Sequence, residues 1–177
     1  ITENNIYAGI AKMGKKGGQK FMVATHIDEI GYMITYIDKE GYIYFDTLGG
    51  IDRHIMPGTR VKIQGKKGEV LGILGRKPVH LISSKERDSV ASIENMWIDI
   101  GVESDKEAFK LVDIGDCAVP EGDYAELGKH KVVGKGFDDR ASVFVMTEFL
   151  RNMSKHKFSN IELYGVATTQ EEVGLRG

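Results

Sequence analysis

Between residues 32 and 120 the chain repeats short runs of strand-forming residues broken by glycine-containing turns, and this texture constrains the fold more than any other feature. Tyr32 to Ile37 and Tyr42 to Phe45 flank Asp38-Lys39-Glu40-Gly41, while Arg60 to Gln64 and Glu69 to Leu74 flank Gly65-Lys66-Lys67-Gly68. Each set reads as a hairpin. Trp97 to Ile100 and Cys117 to Pro120 read as further strands. Helix signals are few: Ser83 to Asp88, and Asp105 to Leu111 behind the N-cap candidate Ser104. Short strands at such spacing predict a small β-barrel. The flanks differ. Phe21 to Ala24 and Ile161 to Thr168 are apolar strand-like runs, and Ala141 to Met153 is an amphipathic helical stretch. The expected organisation is therefore an α/β domain of residues 1–31 and 121–177, interrupted by an all-β module of residues 32–120.

Composition narrows the functional classes. No apolar run approaches the roughly 20 residues of a membrane span, and no leader resembles a secretory signal, so a cytoplasmic protein without a membrane partner is expected. Cys117 is the only cysteine, which removes an intrachain disulfide or a thiolate zinc site; a solitary thiol of this kind reads as a small core residue. A net charge of -2 with both signs interspersed gives no nucleic-acid footprint. Lys15-Lys16 and Lys66-Lys67, each beside glycine, read as turn tips, and Gly72-Ile73-Leu74-Gly75 is too short for a phosphate loop.

The chemistry is concentrated in three acidic motifs. Thr168-Thr169-Gln170-Glu171-Glu172-Val173-Gly174 carries two adjacent carboxylates out of the Ile161 to Thr168 strand at its carboxyl end, where open α/β sheets place ligands. In an extended segment neighbouring side chains point apart, so one glutamate can bind a cation while the other handles protons. Taken alone the pair also reads as a solvated turn. His26 and Asp28, two apart after Phe21 to Ala24, share a face on the same reasoning; imidazole is a common metal ligand and a nearby carboxylate fixes its tautomer. A structural histidine is the alternative. Gly136-Phe137-Asp138-Asp139-Arg140 opens the helical stretch, either as an N-cap with first-turn acids or as a further contribution to a site. Three such clusters at strand ends or helix starts favour one assembled site. The remaining histidines read as structural or surface residues: His54 in a loop, His80 packed or hydrogen-bonded in the barrel, His130 and His156 among surface lysines.

His26-Ile27-Asp28-Glu29-Ile30-Gly31, Phe137-Asp138-Asp139-Arg140 and Thr169 to Gly177, with Gly115-Asp116 and Val119-Pro120 between them, resemble the tetrahedral (TET) aminopeptidases, dinuclear metallopeptidases of glutamyl and deblocking type, some labelled endoglucanase. The resemblance covers essentially the whole chain. It implies a mixed-sheet, zinc-peptidase-like α/β catalytic domain with an inserted barrel that mediates dimerisation, the dodecamer being the larger assembly. It further implies two divalent metal ions, zinc or cobalt, with His26 on one ion, Asp138 bridging both and Glu172 on the other. The catalytic pair implied is Glu171 as general base and Asp28 as orienter of His26, acting on the amino-terminal residues of peptides. Asp139 and Arg140 are implied as supporting or structural residues and receive no catalytic part.

Members of that family continue beyond the Glu-Glu motif and supply a further aspartate and a further histidine. His26, Asp138 and Glu172 alone give each ion one private and one shared ligand, against about three protein ligands for a catalytic zinc. The chain is therefore expected to be part of a longer protein, as is also read from its start at Ile1 inside a strand-like segment. Two other readings stay open: a polysaccharide hydrolase pairing Glu171 with a second acid roughly 5 to 9.5 Å away, which has no use for His26, and a non-catalytic assembly module.

Overall fold

A computed structural model describes residues 7–84, 89–157 and 160–176, with side chains from Lys12 onward. The strand-like start at Ile1 and most of the helix expected over Ser83 to Asp88 lie outside those residues. The chain forms two compact units, Ile1–Glu29 with Gly134–Gly177, and Ile30–Val133, so the second interrupts the first in sequence.

The interrupting unit contains a closed six-stranded barrel. Its strands are β3 (Gly31–Ile37), β4 (Ile43–Leu48), β5 (Arg60–Gly65), β6 (Gly68–Arg76), β7 (Met96–Asp99) and β8 (Cys117–Pro120), in the order β3-β4-β7-β6-β5-β8. Every pairing is antiparallel. Alternation explains the closure: Ile43 and Phe45 of β4, Val61 and Ile63 of β5, and Met96 and Ile98 of β7 point inward and are buried, while their neighbours point out. Each such inward aliphatic side chain contributes about 1.5–3 kcal/mol of burial. Tyr32 and Phe45 meet edge to face at 5.0 Å, and burial pushes the Tyr32 hydroxyl up to about 12. The short helix α1 (Asp105–Leu111) starts where Ser104 Oγ accepts the Glu107 N–H, and its Ala108 is fully buried against the barrel.

Two readings of single residues are overturned here. Cys117 is exposed, because it is the first residue of β8 and faces away from the core that Ala118 enters. His80 is also exposed, in a single 3-10 turn, Val79–Leu81, that contributes no buried residue. The sequence reading passes over a further hairpin, β9 (Ala125–Leu127) with β10 (Lys131–Val133), which falls in the barrel-containing unit.

The other unit is a three-stranded sheet in the order β1-β11-β2, formed by β1 (Tyr7–Gly14), β2 (Gln19–His26) and β11 (Ile161–Thr168). The strand expected over Ile161 to Thr168 is the central one. β11 runs antiparallel to β1 and parallel to β2, a mixed sheet. The helix α2 (Phe137–Met153) buries Met146 and Leu150 against Leu163, with Met13, Val23, Met153 and Ala167 around them. Gly165 makes that approach possible, since a Cβ there would stand 2.3 Å from Leu150 Cδ1.

At the opposite end of the sheet, Glu162 is 2% exposed and fully partnered. It accepts the Gly17 N–H at 2.5 Å and the Tyr164 hydroxyl at 2.7 Å, and Lys12 Nζ lies 3.1 Å away. The Tyr164 hydroxyl, then the Gly17 amide, then Lys12 hold its carboxyl down to about 2.

Candidate active site

Parallel register brings two motifs together. Thr168 stands opposite His26, so β2 and β11 end side by side, and Ile27 N–H extends the ladder by donating to the Thr168 carbonyl at 2.9 Å. Both chains then leave the sheet. Gln170 adopts φ 63°, a left-handed conformation that costs a non-glycine residue about 1–2 kcal/mol. After it the Glu171 carbonyl accepts the N–H groups of Gly174 (3.1 Å) and Leu175 (2.8 Å), and Arg176 N–H donates to the Gln170 carbonyl (3.1 Å). The segment is a tight turn and not the extended continuation expected from the sequence. In a turn the rule of alternating faces does not hold, and both glutamates lie beside His26: one ligand atom from each of His26, Glu171 and Glu172 lies within 4.8 Å of the other two.

The third motif arrives from the start of α2. Gly136 caps the helix at φ 69° with no side-chain cap bond, a Cβ there would meet the Arg140 guanidinium at 3.2 Å and Glu29 Oε2 at 3.3 Å, and Asp138 (φ -85°, ψ 107°) and Asp139 (φ -121°, ψ 25°) are not helical. The Asp138–Asp139 peptide is cis. The two aspartates part company: Asp138 Oδ1 lies 3.3 Å from His26 Nε2, while Asp139 Oδ2 accepts the His26 backbone N–H at 3.3 Å.

The imidazole is gripped from both sides. Nδ1 lies 3.2 Å from the Asp28 carbonyl oxygen and 3.4 Å from Asp28 Oδ1; Nε2 faces Asp138 and, at 3.8 Å, Glu171 Oε2. The His26 side chain is 12% exposed, that of Asp138 91%. Burial works against the imidazolium, yet Glu171, Asp28 and Asp139 outweigh it and raise the His26 pKa. Burial, then repulsion from Glu171, raises that of Glu172. The nearby cations are engaged elsewhere: Lys135 Nζ (2.8 Å) and Arg140 (3.1 Å) both pair with Glu29 Oε1. The structure thus brings together His26, Asp28, Asp138, Glu171 and Glu172. Asp139 and Arg140 take the supporting parts that the resemblance implies, one holding the His26 backbone and the other Glu29, whereas the part of Glu29 and Lys135 is not read from the sequence. No pattern of residue types tells which of two adjacent aspartates turns inward.

The M42 glutamyl aminopeptidase family matches residues 5–177, and the chain belongs to that family. A lysyl aminopeptidase of Pyrococcus furiosus is 32% identical over 92% of this chain and 47% of its own length. Among solved structures, a TET aminopeptidase from a marine-sediment Thaumarchaeota archaeon superposes with TM-score 0.87 at 37% identity (95% of this chain, 48% of that one). The Pyrococcus horikoshii TET1 peptidase, described as able to assemble into a tetrahedron or a large octahedral shell, does so with TM-score 0.84 at 35% identity (95% and 50%). A Thermotoga maritima structure described as an endoglucanase reaches TM-score 0.68 at 31% identity (93% and 49%). The α/β fold with an inserted barrel is thus that of the TET aminopeptidases. The chain spans about half the length of the relatives it matches.

Proposed function

We propose that the full-length protein is a metal-dependent aminopeptidase that removes amino-terminal residues from peptides through a dinuclear site, with Glu171 as general base. The observation that carries this is the convergence of one imidazole and the carboxylates of Asp138, Glu171 and Glu172 in a chain of the M42 family. The donor set suits divalent ions. Several carboxylates crowd a single imidazole while Lys135 and Arg140 are paired with Glu29, so the cluster calls for positive charge. Imidazole with carboxylate oxygens fits zinc or cobalt.

In this reading His26, Asp138 and Glu172 would hold the divalent ions. When bound, such a pair polarises the reacting carbonyl and eases deprotonation of water near neutral pH. Asp28 holds Nδ1 of the imidazole, leaving Nε2 free to ligate. Glu171, side by side with Glu172 in the turn, takes the proton from the attacking water at its carboxylate and gives it to the leaving amine. Further ligands come from the part of the protein beyond this chain. Self-association through the barrel, as a dimer or a dodecamer, and a cytoplasmic location belong to the same proposal.

The endoglucanase-labelled neighbour favours a second reading, polysaccharide hydrolysis. Chelation separates the two: amino-acyl anilide hydrolysis by the full-length protein that is abolished by chelator and restored by zinc or cobalt supports the peptidase. Chelator-insensitive cleavage of a β-glucan without peptide hydrolysis supports the alternative.

A further inference from the structure

The Asp28 carboxylate reaches more than the imidazole. Oδ1, 3.4 Å from His26 Nδ1, also accepts the backbone N–H of Glu171 at 3.3 Å, and Oδ2 accepts that of Glu172 at 3.1 Å. These partners lie 143 and 144 residues away in sequence. The two amides follow Gln170, whose left-handed φ turns the chain out of the sheet, so the strand ladder no longer supplies their acceptors. Hydrogen bonds to an ionised carboxylate are about twice as strong as neutral ones.

We infer that Asp28 is a positioning residue for the Glu171–Glu172 turn, holding the base and its neighbouring ligand at a fixed distance from the ring it also orients. One rigid group with two oxygens serves three partners, so the imidazole and the turn cannot shift independently. The left-handed Gln170 conformation is costly for a non-glycine residue, and the two bonds to Asp28 add to the turn's own backbone bonds in offsetting it. This extends the peptidase reading and rests on it for its catalytic consequence, but not for the clamp itself.

The test is hydrogen–deuterium exchange, read by mass spectrometry on metal-free full-length protein, at the amides of Glu171 and Glu172, with the β11 amides of Leu163 to Val166 as the control for folding. Asp28→Ala should speed exchange at both amides about tenfold or more. Asp28→Asn keeps one acceptor oxygen and should speed exchange less. His26→Ala, which removes the ring but not the clamp, should leave both amides protected. At saturating metal, Asp28→Asn should lower kcat with KM within about threefold of wild type, since the clamp places the base and not the substrate. Unchanged exchange at both amides in Asp28→Ala with β11 still protected would overturn the inference, as would equal acceleration in His26→Ala. If Asp28→Ala loses the β11 protection too, Asp28→Asn decides on the same criterion. Failure of the peptidase reading looks different: wild-type protein without peptide hydrolysis, whatever the exchange shows.

Discussion

His26 Nε2 and Asp138 Oδ1 stand 3.3 Å apart, one at the end of β2 and the other in the non-helical opening of α2. Nothing local joins them. The latch of Arg140 and Lys135 on Glu29 ties the loop after β2 to the residues around Asp138, and Asp139 holds the His26 backbone directly. The pair therefore depends on a cross-link between two motifs that the sequence keeps far apart.

Asp28→Asn in the full-length protein should weaken metal affinity by about 10 to 100 fold without unfolding it, the usual consequence of removing the carboxylate behind a ligating histidine. Competition with a chelator of known affinity measures this. Unchanged affinity at constant circular dichroism would make Asp28 no more than a structural acid.

Gly165→Ala should destabilise the α/β unit by about 1–3 kcal/mol, because the new methyl needs the space of Leu150 Cδ1, 2.3 Å away. A lower urea midpoint at unchanged slope is the expected readout. The double variant with Leu150→Ala should lose less stability than the sum of the two single losses.

The fold was legible where a periodic pattern coincided with a turn signal. Arg60 to Gln64, Glu69 to Leu74 and Cys117 to Pro120 form strands within a residue or two of their expected bounds, and Asp105 to Leu111 is a helix behind Ser104. The hairpin of Ala125–Leu127 and Lys131–Val133 escaped notice because its three-residue strands are exposed throughout and carry no alternation. The site was legible as residue types, since His26, Asp28, Asp138, Glu171 and Glu172 all gather in one place. Its geometry was not. A left-handed Gln170 leaves no mark in composition, and that one residue converts the expected alternating strand into a turn that brings both glutamates to the imidazole.

Acid stability should carry the signature of Glu162. Its carboxyl titrates near 2 in the folded protein, against roughly 4.3 when unfolded, so its contribution is complete above the unfolded value and is lost as pH falls from there towards 2. Glu162→Gln should therefore flatten the decline of the urea midpoint between about pH 4.5 and 2, while lowering the midpoint at neutral pH. A wild-type-like decline in the variant would show that other carboxylates govern the acid limb.

The most direct test of the dinuclear reading is the metal content of the full-length protein and of two variants, read by elemental analysis beside hydrolysis of amino-acyl anilides. Glu171 Oε2 stands 3.8 Å from His26 Nε2 and Glu172 lies within 4.8 Å of the same ring, so proximity to the imidazole alone does not make Glu172 the ligand. Wild type and Glu171→Gln should each hold about two zinc or cobalt ions per chain, with turnover lost in the variant. Glu172→Gln should lose metal as well as turnover. Equal metal loss in the two variants, or a wild-type protein that hydrolyses peptides with no bound divalent ion, would contradict the assignment of Glu171 as base and Glu172 as ligand.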